Sequence, residues 1–252
     1  MLRTSNPVLS SKSFGGFVER DQSPATGART DTMTVAGTVN KTAILLALVM
    51  LGALWPWHLM QSDPAAALNW LLVGLVGGTV TALVIIFKRD WAGPLAPVYA
   101  VCEGLSLGAV SALYELRHPG IAFQAVALTL GVMATMLVIY RTGAIKATPR
   151  LWKGVVAATG AVALVYLMSF VMQAFGMPVT FLHATGPVGI GISLVIVVIA
   201  ALNLILDFDF IEKAVAGGAP RRMEWYGAFG LVLTLVWLYL EILRLVSKLS
   251  RR

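Results

Sequence analysis

Charge is what this chain has least of. Only 12% of its 252 residues are Asp, Glu, Lys or Arg, against 58% hydrophobic residues and a mean hydropathy of +0.82. A soluble domain needs far more polar surface, so the composition excludes a water-soluble globular protein and describes a polytopic membrane protein. Cysteine is nearly absent too: Cys102 stands alone inside an apolar run, which excludes an internal disulfide and says nothing of compartment. A Walker loop, a dinucleotide fingerprint and a His-Glu-x-x-His pair are missing. Ser106, Ser111, Ser169 and Ser193 fall in apolar runs, but no histidine stands among them to activate one, and hydroxyls in membrane helices ordinarily bond their own backbone or a neighbouring helix. No enzyme activity is expected. No cleavable signal peptide is present either, because the first apolar run starts only near Thr42; that span itself acts as the membrane address.

What the chain has is apolar length. A helix needs roughly 20 residues to cross a ~30 Å hydrocarbon core. Seven stretches qualify: 42–60, 67–87, 95–115, 121–140, 154–175, 188–208 and 226–246. The formal net charge of +7 sits in short connections between them, where it reads as topology and not as a nucleic-acid surface. Fourteen Lys and Arg fall before span one and in the gaps after spans two, four and six, whereas the other three gaps hold only Arg117. The bias puts the N-terminus in the cytoplasm. Arg244, Lys248, Arg251 and Arg252 then lie at the outer end and break the rule, so the seventh helix is either held by its neighbours or crosses incompletely.

Residues 1–41 lack sustained apolar periodicity and read as a disordered cytoplasmic tail before a transmembrane domain over 42–252, with room for a short interfacial helix near Met33 to Asn40. Trp55-Pro56-Trp57-His58 reads as an aromatic belt with a helix-breaking proline at a membrane boundary. Gly74 and Gly78, and again Gly104 and Gly108, stand one turn apart, a spacing that lets helix backbones approach where no hydrophobic drive exists between helices. Gln124 and Gln173 fall near span ends, and spans four and five read as scaffold. His58, His118 and His183 all fall on the predicted outer side, but zinc sites ordinarily pair histidines or set one beside a carboxylate on one element, and no metal site is expected of them.

Three acids interrupt the spans. An ionised group at the centre of a membrane helix costs roughly 2.5–3.5 kcal/mol on insertion scales and is kept where it faces protein, water or a partner. Glu103 lies in span three, Asp207 at the end of span six and Glu241 deep in span seven. Asp209 and Glu212 follow Asp207 and read as solvated. Carboxylates crowded together compete for ionisation and can sense protons. The three span acids therefore suggest an internal polar pathway.

These residues carry a resemblance. Gly93-Pro94-Leu95 with Glu103-Gly104-Leu105-Ser106-Leu107-Gly108, the Asp207-x-x-x-Ile211 end of span six, and Leu238-Tyr239-Leu240-Glu241 with Leu243-Arg244 are similar to the Bax inhibitor-1 / YccA-like (transmembrane Bax inhibitor motif) family over residues 40–250. Ser5-Asn6-Pro7-Val8, Asp207 to Glu212 and Met223-Glu224-Trp225-Tyr226 look like a bacterial subgroup of it. The resemblance implies an all-α membrane fold of seven transmembrane helices with the last helix central. It also implies a pH-sensitive calcium leak, in which two acids on helices six and seven form a hydrogen-bonded proton-sensing pair with a basic partner after helix two. Those positions fall on Asp207 and Glu241, with Lys88 or Arg89 as the basic partner and Asp209 and Glu103 as further pathway residues. Glu241 departs from the aspartate of those relatives, which keeps the carboxylate and changes its reach.

If both windows are centred in the bilayer, Asp207 lies at the cytoplasmic end and Glu241 about 22 Å along its helix, too far apart to touch. They meet only if the sixth helix continues toward Gly217 and the seventh begins below the membrane surface. The expectation is a proton-gated cation leak in a bacterial inner membrane, with Asp207 and Glu241 as transient oxygen ligands for Ca²⁺, no resident cofactor and no nucleic-acid partner. The competing expectation is a regulator that conducts nothing and binds a membrane protease or secretion component. A third is a metal-dependent intramembrane hydrolase.

Overall fold

All seven apolar runs become helices in the computed structural model, which describes residues 32–176 and 186–250. They are α1 (Val35–Ser62), α2 (Pro64–Phe87), α3 (Ala92–Glu115, entered through a 3₁₀ turn at Arg89–Trp91), α4 (Ile121–Arg141), α5 (Pro149–Ala174), α6 (Pro187–Ala216) and α7 (Met223–Leu249). Among the described residues there are seven helices long and apolar enough to span a membrane. Residues 1–31, most of the expected tail, lie outside the described ones, as does His183.

Local chemistry sets the ends. Thr34 accepts from the Gly37 amide at 2.9 Å and starts α1 seven residues before the apolar window, so Met33 to Asn40 is not a separate interfacial helix. Pro56 does not end α1, which runs through it to Ser62. Asp63 is the only residue between α1 and α2 and caps Ala66 at 3.0 Å, with Pro64 at the first helical position. Between α3 and α4 the chain turns at Gly120 (φ 85°), and the Glu115 carboxylate accepts from the Gly120 and Ala122 amides. Thr148 caps α5 at Leu151.

α7 is the central helix, packing against α1, α3, α4 and α6. Its buried surface runs from Glu224 to Lys248, with Leu238 and Leu243 fully enclosed. α5 packs chiefly on α6 and otherwise faces lipid. The four paired glycines are contacts, though not with one another. A Cβ on Gly104 or Gly108 would strike the backbone carbonyls of Val49 and Ala53 in α1. One on Gly74 would strike Cys102 and Ser106 of α3, and Gly78 leaves room for the Glu103 carboxylate. Small residues thus bring α1 and α2 onto opposite sides of α3.

The basic residues of α7 are absorbed by protein. Lys248, 6% exposed, donates to the Gly189 carbonyl at 3.0 Å and to Ser193 Oγ at 2.9 Å on α6. Arg244 pairs with Glu241 at 3.0 Å. α7 runs 27 residues without a break, about 40 Å.

Candidate functional site

The side chains that matter stand on α5, α6 and α7. α6 continues nine residues beyond Asp207, so that carboxylate lies about 14 Å inside the helix end and not at the interface. It accepts a hydrogen bond from the Thr234 hydroxyl of α7, and its Oδ2 atom is buried with no partner among the described residues. A buried carboxylate oxygen without a donor is costly.

Glu241 is 1% exposed. Its Oε1 accepts from Tyr166 Oη of α5 at 2.8 Å, from Trp237 Nε1 at 3.2 Å and from Arg244 Nη1 at 3.1 Å; Oε2 accepts from the same Arg244 nitrogen at 3.0 Å. The guanidinium also donates to Tyr166 Oη and lies 5.1 Å from the Tyr166 ring centre. The buried charge therefore has a counterion and two neutral donors, the arrangement that makes a buried ion pair tolerable. Arg244 keeps its side chain 30% exposed, five residues before the Leu249 end of α7.

Asp207 and Glu241 share no hydrogen bond among the described residues. Thr234 and Glu241 are seven residues apart, on one face of α7 and separated by about 10 Å. Extending α6 and starting α7 early brings the two acids to one column without joining them. What fills the interval is Asn203, one turn from Asp207, whose Nδ2 donates to Thr159 Oγ1 of α5 at 2.9 Å and to the Ile199 carbonyl. Thr159 and Tyr166 are themselves seven residues apart. A polar ladder thus climbs through α5–α7, from Asp207 and Thr234 by way of Asn203 and Thr159 to Tyr166, Glu241 and Arg244. Thr159, Asn203, Tyr166 and Thr234 escape a search for charge because each is a neutral side chain in an apolar run. The signal was the seven-residue spacing of polar groups on α5 and α7.

The other sequence candidates lie elsewhere. Glu103 does not face the Glu241 site. Gly104 and Gly108 point at α1, and the residue before them turns toward Gly78 of α2, within electrostatic reach of Tyr99 and Cys102. Lys88 stacks 5.2 Å over Trp91 and Arg89 5.4 Å over Tyr226, so their charges are taken up by rings at the membrane boundary and neither pairs with Asp207. Asp209 pairs with Lys213 at 2.6 Å, and Glu212 accepts from Tyr140 Oη at 2.7 Å. No three His, Cys, Asp or Glu side chains gather to hold a metal among the described residues.

Gly104-Leu105-Ser106-Leu107-Gly108 also spells Gly-x-Ser-x-Gly. A nucleophile of that kind needs a strand-to-helix turn that exposes its hydroxyl. Ser106 is in mid-helix, its Oγ directed to the carbonyls of Leu71 and Cys102 at 3.4 Å. The other three serines are spent as well, on Tyr239, Val165 and Lys248.

Compared with known proteins, the chain matches a family model described as Bax inhibitor 1 like over residues 6–251, nearly its whole length. No curated protein and no solved structure matches it.

Proposed function

The chain belongs to the Bax inhibitor 1 like family, and from that premise we propose that it is a proton-sensitive cation leak whose path is the ladder on α5–α7. The observation that carries this reading is the buried, unpartnered Asp207 Oδ2, beside a column of oxygen and amide groups that ends at the Glu241–Arg244 ion pair. An ionised Asp207 draws a cation into the helix bundle, and Thr234 and Asn203 supply neutral polar groups beside it. Calcium takes six to eight oxygen ligands, far more than one carboxylate and one hydroxyl provide, so these residues suit passage and not storage.

Glu241 and Asp207 then divide the work of the pair that the resemblance implies. Glu241 holds Arg244 across the outer mouth, where a fixed positive charge opposes a cation. Losing the Glu241 charge frees the guanidinium it anchors, so the ion pair governs the mouth while Asp207 serves the interior. The fourteen-to-one distribution of basic residues supports a cytoplasmic N-terminus, and a bacterial inner membrane is the corresponding location.

Calcium flux from purified protein in liposomes, measured across a pH range, tests the assignment. Glu241→Gln and Asp207→Asn each keep size and hydrogen bonding but remove a carboxylate, so each should change the pH dependence of flux. An unaltered pH response in both variants removes the carboxylate pair from the mechanism, and a native protein that passes no ion leaves the regulator as the function.

A further inference from the structure

α1 and α4 stand on either side of α7 and do not close on each other. Between them runs a groove of about 290 Å³, walled by Val39, Ala43 and Leu46 of α1 and by Met133 and Leu137 of α4, with Leu235 of α7 in its floor. Thr38 and Thr42 also line it, but both hydroxyls are spent on backbone carbonyls one turn back, so the α1 wall of the groove is apolar. From Val35 to Leu46 it extends about 16 Å, half of a ~30 Å hydrocarbon core. It is one leaflet deep.

Its mouth is a second cavity of about 480 Å³ where α4 ends and α6 leaves the membrane. The two cavities share Tyr140, Arg141 and Glu212. Arg141 and Lys146 line the polar cavity, and neither has an ion-pair partner among the described residues. Asp209 and Lys213 neutralise each other, which leaves the Glu212 carboxylate, held by the Tyr140 hydroxyl, as the anionic group facing two cations.

We propose that these adjoining cavities bind one phospholipid of the phosphatidylethanolamine type, with an acyl chain in the α1–α4 groove, its phosphate on Arg141 and Lys146, and its ammonium on Glu212. Depth selects a lipid over a peptide, because the apolar wall stops at mid-membrane and the charges begin where headgroups sit. Charge complementarity selects the headgroup. A guanidinium and an ammonium suit a phosphate. A primary ammonium donates hydrogen bonds to a carboxylate, and a choline, with no N–H, does not.

Native mass spectrometry of the full chain in mild detergent, after exposure to vesicles of equal phosphatidylethanolamine and phosphatidylcholine with identical chains, tests the site. One ethanolamine lipid per protein should be retained, preferred over choline lipid by roughly tenfold, the effect of one charge-assisted hydrogen bond. Arg141→Ala with Lys146→Ala should lower retention of both lipids by about tenfold or more. Glu212→Gln should abolish the preference while phospholipid still binds, and Ala43→Phe, whose ring occupies the groove, should expel it. Equal retention of the two lipids by the native protein overturns the proposal, as does retention unchanged in the double variant. So does displacement by soluble phosphoethanolamine as effective as by lipid, or a groove filled by a second copy of the chain. If Ala43→Phe fails to fold, the charge variants on the exposed rim decide.

Discussion

Glu224 shows what a single buried acid does when it is structural. It is 2% exposed, pairs with Lys41, and accepts from the backbone amide and hydroxyl of Thr34 at 2.9 and 3.0 Å, while Gly37 leaves the space it fills. Both of its oxygens have partners, in contrast to Asp207, whose Oδ2 has none among the described residues. That contrast separates a residue that pins the start of α1 to the start of α7 from one available to an ion. Glu224→Ala strands the Lys41 ammonium and two Thr34 donors, and should cost about 3 kcal/mol, the low end for breaking a buried pair because Lys41 keeps some water contact. Glu224→Gln, which still accepts from Thr34, should cost less. Denaturant titration of both variants checks the order; equal losses would place the stabilisation in the charge alone. Both acids sit beside apolar runs in the sequence, and neither their neighbours nor their spacing distinguishes the pinned one from the open one.

At the scale of helices, α1, α2 and α3 form a unit built on glycine. The Gly104 and Gly108 backbone lies directly against α1, so a side chain there meets carbonyl groups that cannot step aside. Overpacking usually costs 1–3 kcal/mol. Gly108→Val should reach about 3 kcal/mol, because the obstacle is Ala53 backbone and not a flexible side chain. Gly131 of α4, with nothing within 4 Å of a Cβ, should accept Ala within roughly 0.5 kcal/mol. Thermal unfolding in detergent compares the two, and a Gly131→Ala loss as large as that of Gly108→Val would refute close packing as the reason for the pair. The Gly-x-x-x-Gly spacing was legible in the sequence. Which helix each pair would meet was not, because spacing along one helix carries no information about its neighbour.

The whole molecule has one orientation to be tested. With Cys102→Ala as background, Arg117→Cys in the α3–α4 turn should react with an impermeant thiol reagent added outside, and Arg150→Cys at the start of α5 should be protected. Labelling of position 150 alone would invert the topology and put the groove between α1 and α4 in the outer leaflet. The sequence by itself determined that this is a membrane protein of seven helices, that its acids interrupt the spans, and which family it belongs to, because apolar length and composition are local quantities that a bilayer reads directly. Helix ends were only partly legible: caps and packing, and not hydropathy, carry α1 back to Val35 and α6 on to Ala216. The tertiary structure alone decided which acids have partners. It turned Glu103 toward α2, stacked Lys88 and Arg89 on rings, set Asp207 beside Thr234, and tied Glu241 to Arg244 and Tyr166. The physical reason is the medium: lipid offers no hydrogen bonds, so each polar side chain must be met by one from another helix, and only the packing of helices says which.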